Sequence, residues 1–175
     1  MELEEAINTR RSVRSYSRED VSEDTVTRLL EQANAAPSAG NVQARDFVVV
    51  RNKKTGEALA DAAFGQSFVA EVPVVVVVCG NQIRSSKHYG QRGRTLYYIQ
   101  DADAAVENLL LAIHNEGLGS CWVGAFDENA VSEILELPEG VRPLAIIPIG
   151  VPSKSAGAGR AGRLKLEKIV HHEKW

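Results

Sequence analysis

The run from Val72 to Cys79 constrains the fold more than any other part of the chain. Six of its eight residues are valine, and β-branched side chains favour extended backbone. Because a strand with one face in water alternates apolar and polar residues, this continuous run predicts a strand that is buried on both faces. It is also the longest apolar run, yet it is far shorter than the roughly 20 residues that cross a bilayer as a helix. We therefore expect a central buried strand and no transmembrane segment.

Helical and extended patterns alternate irregularly through the rest of the chain. Ser22 is expected to cap a helix that ends near Ala36, since Pro37 disfavours the α conformation before it. The longest periodic segment, Thr95–Leu118, predicts a largely buried central helix. Without βαβ regularity, an internal repeat or a linker, we expect one α+β domain over residues 1–175. The other expected elements are helices at Glu2–Thr9, at Lys53–Phe64 and after Asp127, strands at Asp46–Arg51, Ser120–Val123 and Leu144–Ile149, a loop at Gln82–Arg94, and an extended arm at Pro152–Gly162 that leads into the tail.

Charge and cysteine content narrow the classes of function. The formal net charge is −3, with 44% apolar and 25% charged residues. The composition is ordinary for a globular protein, and a slightly negative net charge gives no overall electrostatic attraction to nucleic acid or to an acidic membrane surface. Cys79 and Cys121 each lie in an apolar run, which favours buried thiols over a disulfide framework. No charged-then-apolar leader is present, so a cytoplasmic location is expected.

Two polar stretches stand out against this mildly acidic background. The first is Arg10-Arg11-Ser12-Val13-Arg14, and the second is Ala36-Pro37-Ser38-Ala39-Gly40-Asn41-Val42-Gln43. Guanidinium groups match phosphate oxygens with two parallel hydrogen bonds, and a serine hydroxyl can donate to the same oxygens. The cluster therefore favours a phosphate-bearing ligand. An exposed basic turn that forms surface ion pairs fits the same residue types.

Several catalytic motifs are absent or out of context. Gly157–Gly162 matches the dinucleotide fingerprint GxGxxG, but it does not open a helix after a strand, and it lacks the acidic residue about 20 positions further on. HExxH, CxxC and Walker sequences are absent, so nothing favours a metal centre, a redox dithiol or nucleotide hydrolysis. His88 and His114 lack triad or ligand spacing and are expected to be solvent-facing or capping residues.

Taken together, the two polar stretches and several later segments resemble motifs of the FMN-dependent nitroreductases, in the family's order and over nearly the whole chain. The arginine cluster resembles the family's phosphate-gripping opening motif, and Ala36–Gln43 resembles its second motif. Glu107–Leu111 and Gly117–Gly124 are similar to the central helix and the loop beneath the flavin. Leu144–Pro152 and Gly162–His171 are similar to the late strand and the tail. The resemblance implies a three-layer fold with a mostly antiparallel sheet flanked by helices, in a short member of the family.

The resemblance also implies an obligate homodimer with one FMN at each end of the interface. The central helix would lie at that interface, and the C-terminal arm, residues 152–175, would wrap around the partner. Arg10, Ser12 and Arg163 would hold the FMN phosphate, and Arg11 would lie beside the ribityl-phosphate. Arg14 would approach the pyrimidine edge of the flavin, where a cation stabilises the anionic reduced form.

A further set of residues is implied to contact the flavin ring. They are Pro37, Ser38, Asn41 and Gln43 from the other subunit, and the backbone N–H groups of Gly124 and Ala125 towards the N5 side. Trp122 and the leucines of the central helix are expected to belong to the core rather than to the reaction. Asn108 is expected to serve helix packing.

The implied activity is the reduction of nitroaromatics, quinones or related small acceptors by NADH or NADPH, in a ping-pong exchange through flavin N5. Because the flavin carries the chemistry, no catalytic side chain and no metal are expected. Three alternatives stay open. They are a specialised relative (flavin destruction, dehalogenation or enone reduction), a flavin-binding or storage protein without turnover, and a small module for another phosphorylated ligand.

Two features depart from the family pattern. The family often has Pro-Trp after the glutamine, whereas this chain has Ala44-Arg45. The chain is also short, so Gln82–Arg94 is the expected lid over the pocket. Its basic and aromatic residues fit an anionic acceptor or the nicotinamide phosphate, and they fit solvated loop charge as well. They are Arg84, Lys87, His88, Tyr89, Arg92 and Arg94.

Overall fold

The computed structural model describes residues 1–154, 156 and 162–175. Within them the elements follow one another as α1 (Leu3–Thr9), α2 (Glu23–Asn34), β1 (Arg45–Val50), α3 (Lys53–Ala62), β2 (Val74–Asn81), α4 (Gln82–Arg92), α5 (Tyr98–Asn115), β3 (Gly119–Ser120), α6 (Glu128–Ile134) and β4 (Val141–Gly150). Short 3₁₀ turns lie at Ala39–Asn41, Ser67–Val69 and Leu166–Lys168, and a π-helical turn lies at Gly93–Tyr97. None of the helices in these residues is long and apolar enough to cross a membrane.

The strands form one antiparallel sheet in the order β1-β2-β4-β3. The predicted valine strand is β2, and it lies in the interior of the sheet between two other apolar strands. Its Val77 pairs with Val48 of β1 on one side and with Ile146 of β4 on the other. The prediction of a central strand is therefore confirmed, with a start at Val74 rather than Val72.

Alternate residues of β2 enter two apolar clusters, one on each face of the sheet. The even-numbered residues from Val74 to Val78 pack with α2 and α5, and the odd-numbered residues from Val75 to Cys79 pack with α3 and α6. None of these side chains is more than 2% exposed. Helices therefore cover both faces, and the predicted α+β class and three-layer fold are confirmed.

The two cysteines are buried free thiols, as predicted. Cys79 belongs to the central strand, where burial and, secondarily, the charge of Asp46 raise the pKa of its thiol to about 12. A thiol with a pKa in that range is protonated at neutral pH, and the thiolate is the nucleophilic form. The position of Cys79 therefore gives it a packing role.

Local signals define the ends of the surface helices. Ser22 accepts a hydrogen bond from the backbone N–H of Thr25 and caps α2, and Asp127 accepts from the N–H groups of Asn129 and Ala130 and caps α6. The predicted Ser22 cap and the predicted helix start after Asp127 are both confirmed. Because side-chain oxygens satisfy N–H groups that a helix leaves without partners, such starts can be read from sequence.

The segment Gln82–Arg94, predicted to be a loop, is helical. It forms α4 and the start of the π-helical turn, with a break at Gly90, whose φ of 51° and ψ of −129° suit glycine alone. Asn81 caps α4 by accepting from the N–H of Arg84. Most of the segment is exposed, and an exposed helix carries polar residues as a loop does, so composition alone misassigned it. The central helix α5 correspondingly begins at Tyr98 rather than Thr95.

The predicted C-terminal arm is described only in part. Pro152 pairs with Tyr16, and the N–H of Ser153 donates to the carbonyl of Ser15, so the arm starts against the segment that follows the arginine cluster. Residues 155 and 157–161 lie outside the described part, and with them most of the GxGxxG match. Residues 162–175 are exposed on this chain. The exchange of this tail with a partner stays a prediction.

A bidentate ion pair fastens α6 to β4. Nε and Nη2 of Arg142 each lie 2.6 Å from a carboxylate oxygen of Glu128, and Nη1 donates to the Tyr98 hydroxyl at 2.9 Å. The hydrogen bonds from Arg142 lower the pKa of the Glu128 carboxyl below its usual value, against an opposing effect of burial.

We expect Glu128→Gln to lower the free energy of unfolding at pH 7 by less than about 1 kcal/mol, because both side chains are partly exposed to water. Since folding lowers this pKa, the stabilisation is present above the unfolded-state pKa and is lost as the pH falls through the folded-state value. Urea unfolding of both proteins at pH 7 and at about pH 3 measures the difference. A difference that is as large at the lower pH would contradict an ionic origin.

Candidate functional site

The arginine cluster runs beside the segment that follows the central helix. Ser12 pairs with Ser120, and the N–H of Val13 donates to the carbonyl of Ser120 at 2.8 Å. Val13 is 6% exposed and anchors the cluster to the core, whereas Ser12 and Arg14 on either side of it are exposed. The alternation of an extended chain therefore leaves the polar groups of this cluster on the surface.

A cavity of about 180 Å³ lies between the arginines and Ser120. Nε of Arg10 is 3.7 Å from a carboxylate oxygen of Glu107, and the guanidinium of Arg11 reaches the carbonyl of Ala156 at 3.4 and 3.5 Å. These are long contacts for groups that prefer about 2.8 Å to an anionic oxygen. Both guanidinium groups are therefore able to bind an anion in the cavity.

His114 also borders this cavity. Its Nε2 lies 2.7 Å from the hydroxyl of Thr9. Burial, together with the charges of Arg10 and Arg11, lowers the pKa of His114. The neutral form of the ring is therefore favoured, and its contact with the Thr9 hydroxyl ties α5 to α1.

Arg14 is not among the residues that line this cavity, and it has a different neighbour. Its guanidinium carbon lies 6.0 Å from the centre of the Phe68 ring. Two residues further along the chain, the hydroxyl of Tyr16 donates to the carbonyl of Val13 at 2.5 Å. The cluster thus divides into an anion-facing pair, Arg10 and Arg11, and a separate cation one step further along the chain.

The loop Pro37–Gln43 is organised by a buried carboxylate that the sequence reading missed. Asp101 of α5 is 3% exposed and accepts from the N–H of Ala39 at 2.9 Å and from that of Ala44 at 3.2 Å. An acid on the buried face of a helix was the available signal, because Asp101 falls at helical spacing from the buried residues Tyr98 and Ala105.

Within this loop the chain adopts left-handed backbone at three positions. Gly40, Asn41 and Gln43 have φ of 53°, 56° and 53°. Ser38 Oγ accepts from the N–H of Gln43 at 3.0 Å, and the Gln43 amide donates to the Asn41 carbonyl at 3.3 Å. Left-handed backbone at non-glycine residues is uncommon and costs energy, so the loop is shaped by its anchors. Pro37 and Asn41 lie on its exposed surface.

Arg45, which stands where the family often has tryptophan, is a second buried anchor. It is 4% exposed, and its Nη2 donates to the carbonyls of Asn34 and Ala36 at 2.6 and 2.9 Å. Burial lowers the pKa of Arg45, and the charge of Asp101 opposes that effect. Its Nε and Nη1 find no partner among the described residues. Arg45 thus closes the C-terminal end of α2 in place of an apolar side chain.

Helix α4 is fastened onto the same loop. Nη1 of Arg84 donates to the carbonyls of Gln43 and Arg45 at 2.7 and 2.9 Å, and Nη2 lies 2.8 Å from a carboxylate oxygen of Asp46. Tyr89 packs so closely on Gly40 that a Cβ there would overlap its hydroxyl. Arg84 is therefore a structural residue, which removes it from the cations proposed for the lid.

The segment 120–125, which contains the predicted flavin contacts Gly124 and Ala125, adjoins the arginine pocket through Ser120. Cys121 and Val123 are buried, whereas Trp122, Gly124 and Ala125 are exposed. Trp122 is 38% exposed, so the expectation that it belongs to the core was wrong. The predicted strand Ser120–Val123 is reduced to β3 and a single bridge between Val123 and Ile146. The N–H groups of Gly124 and Ala125 have no acceptor in the part of the chain described.

The structure therefore brings two of the predicted regions together and leaves the third apart. Residues 10–14 and 120–125 form one surface through the pairing of Ser12 with Ser120. No hydrogen bond or ion pair between described residues joins the loop Pro37–Gln43 to either. Arg163 lies in the exposed tail, and its role stays a prediction. Across the described residues, no cluster of His, Cys, Asp or Glu side chains could hold a metal ion.

The fold is that of a three-layer α+β protein, with an arginine-lined cavity beside its edge strand β3. Comparison with known proteins gives the family. The nitroreductase family model matches residues 7–73 and 63–151. A protein of Thermus thermophilus named NADH dehydrogenase is 33% identical over 92% of this chain and 91% of its own length. The chain belongs to the nitroreductase family, as the sequence motifs predicted.

Two further relatives are informative. A Bacillus subtilis protein named FMN reductase [NAD(P)H] is 28% identical over 98% of this chain and 74% of its own length. The crystal structure of a nitroreductase family protein from Clostridium novyi superimposes with a TM-score of 0.80 at 29% identity, over 89% of this chain and 87% of that one. The likeness in fold therefore extends over most of both chains.

Proposed function

We propose that this protein is an FMN-dependent oxidoreductase that takes electrons from NADH or NADPH and reduces nitroaromatics, quinones or related small acceptors. The observation that carries the proposal is the single surface formed by residues 10–14 and 120–125. It joins an arginine-lined anion pocket to backbone N–H groups without acceptors. Family membership and the names of the relatives support the same activity.

The donors of this surface fit FMN. Arg10, Arg11 and Ser12 would hold the phosphate, because the guanidinium groups make only long contacts in the described structure. Arg14 would stand at the pyrimidine edge, where its charge favours the reduced anionic ring. The N–H groups of Gly124 and Ala125 would donate towards the N5 side. When bound, FMN supplies the two-electron chemistry between nicotinamide and acceptor.

The protein's own contribution is binding, orientation and shelter. His114, which borders the cavity, is bonded to the Thr9 hydroxyl, and it is proposed to take no part in the reaction. The loop Pro37–Gln43 is proposed to complete the pocket from the other subunit, which fits its separation from the arginines within one chain. Helix α4 is proposed to cover the ring, with Arg92 held by the Tyr97 hydroxyl at 3.0 Å as a candidate contact for an anionic acceptor.

Spectroscopy tests this function directly. The purified protein is desalted, its visible absorption is recorded, and bound cofactor is released with acid and identified. We expect a yellow protein that releases one FMN per chain, and whose flavin absorption bleaches on anaerobic addition of NADH or NADPH and recovers with a quinone. A protein that retains FMN but is not bleached by either nucleotide would instead be a flavin carrier. A colourless protein that takes up no FMN would refute the proposal.

A homodimer is part of this proposal, and the uncovered apolar surface supports it. An apolar groove of about 460 Å³ lies between α1, α2 and α5 and is lined in part by Leu3, Asn108 and Leu111. Asn108 also donates to the Gln32 carbonyl at 3.2 Å, in the helix-packing role expected for it. Leu164 and Leu166 of the tail are 66% and 70% exposed. An uncovered apolar groove is typical of an interface, and in a two-fold symmetric dimer the same surface of a second copy would cover it.

We expect Leu111→Arg to convert a dimer into monomers at micromolar concentration, because the change places an unpaired charge in an apolar interface. Sedimentation equilibrium measures the change, and FMN content should fall in parallel. Val49→Arg, at an exposed apolar position of β1, is the matched control and should remain dimeric. A fully dimeric L111R protein would place the interface elsewhere.

A further inference from the structure

Trp122 is an exposed indole within an otherwise buried stretch of chain. Its neighbours Cys121 and Val123 are 2% and 3% exposed, whereas Trp122 is 38% exposed. Its indole N–H has no hydrogen-bond partner among the residues that the structure describes. Tryptophan has a large apolar surface and one polar donor, and buried or interface positions satisfy both. Trp122 is therefore accessible to contact by a bound ligand or by another chain.

The register of the sheet decides which way Trp122 faces. Gly119 pairs with Gly150, Ser120 with Ile149, and Val123 with Ile146, so the segment runs alongside β4 in one register without a bulge. In extended chain, side chains alternate between two faces. Cys121 and Val123 enter the cluster on one face. Ser120, Trp122 and Gly124 therefore share the opposite face.

That face connects the two ends of the proposed flavin site. Ser120 lines the cavity of Arg10 and Arg11, and Gly124 provides one of the N–H groups without an acceptor. Four residues of extended chain span about 13 Å, and Trp122 lies halfway. A ligand with its phosphate in the cavity and its ring over Gly124 must pass the indole.

The glycine at 124 brings the indole close to the backbone. Nε1 of Trp122 lies 3.8 Å from the position that a Cβ of Gly124 would occupy, so no side chain separates the indole edge from the backbone. A planar ring placed against the Gly124 N–H therefore meets the indole as well. Aromatic rings in contact attract each other through dispersion and their quadrupoles.

We infer that Trp122 packs against the isoalloxazine ring of bound FMN and helps to position it. The inference rests on the proposed function, because it requires that FMN binds in this surface. The indole is a cofactor-contacting residue, and it takes no part in bond making. The other possible cover, the partner subunit, would bury Trp122 whether or not FMN is bound.

Oxidative footprinting of the unaltered protein tests the contact, because the chain has only two tryptophans. The protein is freed of FMN, treated with hydroxyl radicals with and without added FMN, and digested for mass spectrometry. We expect FMN to slow oxidation of Trp122 several-fold. Trp175, which stacks on His171 in the exposed tail, is the internal control, and its oxidation rate should not change. Equal oxidation of Trp122 in both forms, or protection already present without FMN, overturns the inference.

Flavin emission gives a second readout that does not depend on activity. An indole stacked on the ring quenches flavin fluorescence, so Trp122→Phe at full FMN occupancy should raise the emission of bound flavin several-fold. Trp175→Phe should leave it unchanged. Unchanged emission in fully loaded W122F would overturn the stacking contact. Absence of FMN binding by the unaltered protein would instead refute the proposed function, so the two failures are distinguishable.

Discussion

Replacing Arg10 and Arg11 together by glutamine is expected to weaken FMN binding by about a thousandfold. Each guanidinium that donates to a phosphate contributes about 1.5–3 kcal/mol, so losing both costs about 3–6 kcal/mol of binding free energy. Glutamine keeps hydrogen-bonding capacity without the charge, so the loss reports mainly on the ionic contribution. Titration of FMN into the flavin-free protein, followed by absorption or fluorescence, measures the dissociation constant.

The matched control is Arg28→Gln, because Arg28 is an exposed arginine that pairs with Glu116 at 3.4 Å outside the cavity. It should bind FMN as the unaltered protein does. Riboflavin, which lacks the phosphate, should bind the double variant and the unaltered protein almost equally. If the double variant kept its FMN affinity, the arginine cluster would be a surface turn, the alternative that the residue types alone allow.

The largest expected loss of stability comes from Asp101→Asn. The buried carboxylate accepts two backbone N–H groups of the loop 37–44 and compensates the charge of buried Arg45. An asparagine at this site turns an N–H₂ group towards one of those donors and leaves the guanidinium without a counter-charge. We expect a loss of about 2–4 kcal/mol in the free energy of unfolding. Urea unfolding of the two proteins, compared at one pH, measures it.

Asp103→Asn is the matched control for this prediction, because it makes the same change two residues along the same helix. Burial raises the pKa of Asp103, so its charged form is disfavoured in the folded protein. A carboxyl group whose pKa is raised by folding makes the protein less stable as the pH rises through its folded-state pKa. Removing the charge of Asp103 should therefore leave stability at pH 7 unchanged or slightly higher. Equal losses in D101N and D103N would show that Asp101 has no special anchoring role.

Asp101, Arg45 and Arg84 together explain how a short chain keeps its second motif in place. Each anchors residues 34–46 by bonds from a side chain to backbone. Arg45, at a position where the family often has tryptophan, therefore contributes a buried charge to this anchoring. The three positions couple through one loop, so we expect combined substitutions to be less than additive.

The sequence by itself determined the features that depend on local or periodic patterns. The valine run predicted the central strand because six β-branched residues leave few alternatives to a strand covered on both faces. Ser22 and Asp127 predicted helix starts because a cap acts within three residues. The arginine cluster and its companion motifs predicted the family because their order along the chain is itself sequence information.

Only the tertiary structure decided features that depend on distant partners. Asp101 bonds to Ala39, 62 residues away along the chain, and no local pattern indicates that a buried charge will find such donors. Helix α4 looks like a loop by composition because its exposed side chains are polar and its anchor, Arg84, bonds to another segment. Trp122 faces outwards because pairing with β4 sets its register. Hydrophobicity alone would have buried it, and in a strand a shift of one residue exchanges the two faces.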